Sequence, residues 1–180
     1  TERWGRDLIF TLLGLENLQP LSYQLNKLTA RNYRYPQVPT VQLFPTDREF
    51  FFDDETTAMA ILARSYLARQ GDSLTGHEKD AWQDRLDWVL DKLDPDGFYQ
   101  TGPGKEHSWL DTFVFPDGDT PTYTQGVVAA AAILADQQAG LEVPPETLCK
   151  VQEAYRQLTH PSGRMQLSRI IDYKDITSLV

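Results

Sequence analysis

Cysteine and positive charge are what this chain has least of. A single cysteine, Cys149, excludes an internal disulfide and any zinc site built on a cysteine cluster. It also favours a reducing, cytoplasmic compartment. Lys and Arg number 17 against 26 Asp and Glu, a net charge of -9. No run of Lys and Arg follows a phosphate backbone, so nucleic acid is excluded as a partner. Long apolar runs are missing as well. The longest small-apolar stretch, Gly126 to Ala135, falls far short of a bilayer span, and no membrane partner is expected. The three histidines, His77, His107 and His160, lie far apart with no i, i+4 pairing, so no metal is expected. P-loop, GxGxxG and nucleophile-elbow patterns are absent, and no cofactor is called for.

What is present is helical periodicity. At 180 residues, with 41% hydrophobic and 24% charged side chains, the chain fits a single domain, 1–180, with a sizeable core. Leu8, Ile9, Leu12, Leu13 and Leu15 recur at near-helical spacing up to Pro20, and Leu21, Leu25 and Leu28 share one face of the next segment. Pro36, Pro39 and Pro45 break the pattern, and Val41-Gln42-Leu43-Phe44 suggests a short strand within a long loop. Helix resumes near Asp54 and stops at Gly71. A stripe of Trp82, Leu86, Val89, Leu90 and Leu93 follows, ended by Asp94-Pro95-Asp96-Gly97. A second long loop, Phe98 to Pro121, precedes helices expected over about 124–139 and 145–158. The remainder, 164–180, is ambiguous. Six helices in short-linked pairs, separated by long loops, predict an all-α fold of helical hairpins, a toroid or solenoid. No close repeat of fixed period supports a TPR, HEAT or ankyrin array.

The loops and helix starts hold the candidate chemistry. Trp4-Gly5-Arg6-Asp7 sets an indole, a cation and a carboxylate before the first apolar stripe; Asp7 suits a helix cap as well as a sugar clamp. Phe52-Asp53-Asp54-Glu55 places acids in a first helical turn, as the macrodipole favours. Gly102-Pro103-Gly104 delivers His107-Ser108-Trp109-Leu110-Asp111, an aromatic beside a carboxylate. A desolvated Asp111 would have the raised pKa that a general acid needs, and a core tryptophan with a turn aspartate is the structural alternative. Tyr123 and Gln125 sit where the next helix starts and could reach a ligand in the same funnel. Asp94-Pro95-Asp96-Gly97 and Pro116-Asp117-Gly118-Asp119 lack the spaced ligands of a calcium loop and read as turns.

In order, these motifs resemble the catalytic domain of glycogen-debranching-enzyme-like and trehalase- or mannosylglycerate-hydrolase-like glycosidases. Trp4-Gly5-Arg6-Asp7 through Leu15 is similar to that group's W-x-R-D opening motif, and Asp53-Asp54 through Ala58 to its V-D-A segment. Ser108-Trp109-Leu110-Asp111 is similar to its T-W-M-D motif, and Thr120-Pro121 through Leu134 to its T-P helix. Where debranching members carry Lys-Pro-Val-Glu, this chain has Gln125-Gly126-Val127-Val128, which leaves sugar and linkage unassigned.

The resemblance implies an (α/α)6 toroid and an inverting glycoside hydrolase acting on an α-glucoside or related oligosaccharide. It implies Asp111 as general acid, Arg6, Asp7 and Asp54 as sugar-binding groups, and Trp4 and Trp109 lining the subsite. The catalytic base, set ~6.5–9.5 Å from the acid in such enzymes, would lie beyond this chain. Twelve helices with their loops need roughly 240 residues, so the expectation is the N-terminal half of a toroid, inactive by itself, partnered by the remaining half. A non-catalytic carbohydrate-binding toroid module and a helical interaction protein are the alternatives.

Overall fold

The structure, a computed structural model, describes residues 2–4, 9, 11, 13–14, 21–23, 25–26, 37–38, 41–43, 48–50, 54–100, 118–159, 165–166 and 168–169. Helix dominates these residues, as the all-α reading expects. Described positions from Ile9 to Gly14 and from Leu21 to Asn26 are helical. They precede four described helices: α1 (Asp54–Arg69), α2 (Gly76–Leu90), α3 (Thr122–Leu134) and α4 (Pro145–Gln157). The exception is a three-stranded antiparallel sheet of β1 (Glu2–Trp4), β2 (Val41–Leu43) and β3 (Arg48–Phe50), with Trp4 opposite Val41 and Val41 opposite Phe50. The short strand expected at Val41 is there. The periodicity did not foresee its two partners, because three residues are too few to show alternation.

Helix α1 is built to be surrounded. Alanine at 58, 60, 63 and 68 supplies high helix propensity and a thin waist, and Arg69 complements the dipole in its last turn. Every residue from Glu55 to Ile61 is buried, and so are Ala63, Arg64, Ser65 and Leu67. A helix covered on all sides is a central element rather than a surface one. It ends in a Schellman motif: the Gly71 N–H donates to Ala68 O and the Asp72 N–H to Leu67 O, with Gly71 at φ +97°. Arg64 braces the turn by donating to the Asp72 carboxylate and main-chain oxygen at 3.3 and 2.7 Å.

Helix α2 then returns along α1. The Glu78 carboxylate accepts from both the N–H and the hydroxyl of Thr75, closing its first turn. It buries only Trp82, Arg85, Leu86 and Val89, the stripe expected of an outer helix.

Helix α3 repeats the inner pattern. Val127, Val128, Ala131 and Ala135 join the core shared with α1, while Ala129 and Ala132 pack with Val151 of α4. The helix expected to run straight to Ala139 instead widens into a π-helical turn over Ala135–Ala139, closed by Gly140 at φ +64° and a Leu141 N–H to Ala135 O bond. Pro145 starts α4, its missing N–H costing nothing in a first turn. Gly126 lies against Tyr155 near the far end of α4, so α3 and α4 are antiparallel.

The relative direction of α1 and α3 follows from two contacts. The Tyr123 hydroxyl lies 4.0 Å from Met59 Sδ, and α1 also packs against the Ala135–Ala139 turn at the other end of α3. Only parallel helices satisfy both. The described fold therefore contains two successive hairpins whose first helices are buried and parallel and whose second helices face outward.

Candidate functional site

Parallel packing brings the N-terminal ends of α1 and α3 to one end of the molecule, and that end buries polar groups. Glu55, Thr56 and Thr57 on α1, and Asp119, Thr120, Thr122, Thr124 and Gln125 around the start of α3, are all buried. Buried polar groups cost free energy unless they are hydrogen-bonded, so their partners decide what the cluster does.

Several are committed to structure. Thr57 Oγ1 accepts the Val38 N–H at 2.9 Å. Asp119 Oδ1 accepts the Thr120 N–H at 2.8 Å, and the Thr120 hydroxyl donates to Tyr99 O at 2.8 Å. Gln125 spans three main-chain groups: Oε1 accepts the Tyr99 N–H at 2.8 Å, and Nε2 donates to Gly97 O at 3.0 Å and Val151 O at 3.4 Å. The expectation that Gln125 reaches a ligand is corrected by this geometry. Its amide is fully buried and already spent on the backbone.

Two groups are not so committed. Among the described residues, the hydroxyls of Thr122 and Thr124 are buried with no hydrogen-bond partner. Tyr123, also proposed from sequence, is half-buried against the core with its hydroxyl toward Met59.

The loop that carries the sharpest sequence signal leaves and returns at this same end. Its outgoing stem is the turn at Asp94-Pro95-Asp96-Gly97. Asp94 Oδ1 accepts the N–H groups of Asp96 and Phe98 at 3.0 and 2.9 Å, and Oδ2 accepts Arg169 Nη1 at 2.7 Å. Both oxygens are thus used by a turn and an ion pair. Gly97 sits at φ +89°, and a Cβ there would lie 2.6 Å from the Lys150 carbonyl carbon. The returning stem is Gly118 to Pro121.

Of the remaining candidates, Trp4 lies in β1 and Asp54 opens α1. Arg6, Asp7, Trp109 and Asp111 lie outside the described residues. Asp54 is thus the first residue of α1, at the end where the described stems 94–100 and 118–121 also lie. Sequence reading missed Glu55, Thr56, Thr120, Thr122 and Thr124. Their signal was a polar run at the start of a helix that has no exposed face to receive it.

Elsewhere, an open groove of about 460 Å³ between α2 and α4 is lined by Asp87, Asp91, Asp94 and Lys150. Among the described residues no group of His, Cys, Asp and Glu is arranged to hold a metal ion, and no helix is long and apolar enough to cross a membrane. Comparison of the chain with protein-family models, curated proteins and solved structures finds no match.

Proposed function

We propose that this chain is a sector of an (α/α)6-toroid glycoside hydrolase of inverting type, with its carbohydrate site at the end where α1 and α3 begin. One observation carries the reading: two buried, parallel helices start at one end, and polar side chains are buried there. Trp109 and Asp111 fall in sequence between Gln100 and Gly118, which flank that end. Trp109 supplies an apolar face for a sugar ring, Asp111 the proton for the leaving oxygen, and Asp54 a hydroxyl partner. Arg6, Asp7 and Trp4 complete the subsite by resemblance. An enzyme of this type pairs its general acid with a second carboxylate ~6.5–9.5 Å away that activates water.

The test uses maltotriose as probe and acrylamide quenching of tryptophan fluorescence as readout on the full chain. Maltotriose at millimolar concentration protects the wild-type indoles; Trp109→Ala loses that protection while keeping its urea midpoint, and Asp111→Asn retains it. If Trp109→Ala unfolds the chain and the wild type shows no protection, Trp109 is a core residue and the carbohydrate reading fails. Protection by maltotriose without hydrolysis of it supports a non-catalytic binding module instead.

A further inference from the structure

Arg169 lies 75 positions after Asp94, yet it touches both ends of the 101–117 segment. Its side chain holds the outgoing end. Nη1 donates to Asp94 Oδ2 at 2.7 Å, Nη2 lies 3.9 Å from Asp96 Oδ2, and the guanidinium sits 4.0 Å over the buried Phe98 ring. Its main chain holds the returning end: the Arg169 N–H donates to Thr120 O at 3.0 Å, and the preceding, fully buried Ser168 bridges Pro121. The strap that presents it is fixed by the Gln166 N–H to Leu158 O bond and by the pairing of Thr159 with Met165.

A half-exposed ion pair alone contributes little. This one differs because every partner is already oriented. The Asp94 carboxylate is held by two backbone N–H groups and the Gln100 amide, and Phe98 is anchored in a cluster with Ala154 and Leu158. A guanidinium plane can stack on the ring and donate to the carboxylate at once, which an ammonium cannot.

We propose that Arg169 is a positioning residue, a latch that fixes the turn at 94–98 against the approach to α3 at Thr120 and Pro121, the end proposed to hold the carbohydrate site. Its consequence for sugar binding rests on the proposed carbohydrate site; the latch itself does not. The cross-link from Thr120 to Tyr99 and the Gln125 brace remain when Arg169 is removed, so the chain stays folded while the stem opens more often.

The experiment is amide hydrogen exchange on the full chain, comparing wild type with Arg169→Ala and Arg169→Lys. Arg169→Ala raises exchange about tenfold at Phe98, Gln100 and Thr120 with α1 unchanged, since local opening is separable from global unfolding. Arg169→Lys gives an intermediate increase. Unchanged exchange at the stem, or an equal rise throughout α1, overturns the latch. In a second arm, acrylamide quenching with maltotriose reads the consequence: Arg169→Ala weakens protection about tenfold, roughly one lost contact in affinity. Wild-type protection that Arg169→Ala leaves intact overturns the positioning role. Absence of protection in wild type sinks the carbohydrate site and leaves the latch to the exchange result.

Discussion

The two ends of the parallel helix pair are built on opposite principles. Where α1 and α3 finish, the chain turns back through Gly71 and Gly140, with Gln70, Asp72, Asp136 and Gln138 exposed to water. Where they begin, Glu55, Thr56, Thr122, Thr124 and Gln125 are buried and the connections are long. The closing end satisfies its backbone by standard helix caps, which any polar turn can do. The opening end buries hydroxyls, a carboxyl and an amide, an arrangement that favours stability less than apolar residues would. That asymmetry separates the end that closes the fold from the end where the carbohydrate site is proposed.

Glycine substitutions break the comparison most sharply. Gly97→Ala at the opening end meets both a positive φ and the Lys150 backbone, and should cost about 4 kcal/mol in urea denaturation. Gly71→Ala at the closing end has a similar φ but nothing within 4 Å, and should cost about 1 kcal/mol. Equal costs would mean that close packing at Gly97 does not matter.

The amides give a second, smaller contrast. Gln125→Leu strands a buried N–H and two carbonyls and should cost about 3 kcal/mol. Gln83 makes the same kind of clamp near the closing end, accepting the Glu142 N–H at 2.8 Å and donating to its carbonyl at 2.9 Å, but in water. Gln83→Leu should cost less than about 1 kcal/mol by the same measurement. A large loss at Gln83 would dissolve the distinction between the ends.

The smallest effect is electrostatic. The side-chain and backbone hydrogen bonds from Thr75 hold the Glu78 carboxyl below its usual value of 4.5. A lowered folded pKa contributes stability above the unfolded value and loses it as pH falls through the folded one. Glu78→Gln should therefore cost about 0.5 kcal/mol at neutral pH and nothing once both states are protonated. A penalty that persists in acid would assign the effect to packing rather than charge.

The helices were legible because their signals are local. Ala58, Ile61 and Leu62 on α1, and Trp82, Leu86 and Val89 on α2, mark apolar stripes that need no knowledge of neighbours. Gly71, Pro121 and Pro145 punctuate them. The site was less legible. Asp54-Glu55-Thr56-Thr57 reads as a solvated, dipole-favoured first turn, and only the packing around α1 buries Glu55, Thr56 and Thr57. Gln125 reads as a ligand contact by its place at a helix start, and only the proximity of Gly97, Tyr99 and Val151 makes it a brace. Arg169 carries no sequence signal at all, since its partner lies 75 residues away.

Sequence by itself determined the class of this protein: an acidic chain with one cysteine, lacking basic stripes and long apolar runs, whose spacing of alanine and leucine commits it to helical hairpins. Propensity, periodicity and capping act within a turn or two, so they can be read without a fold. Tertiary structure alone decided that α1 and α3 run parallel, that their polar starts meet at one end, and that Arg169 touches both the turn at 94–98 and Thr120 before α3. Those are long-range pairings, set by which faces pack, and no local preference along the chain encodes them.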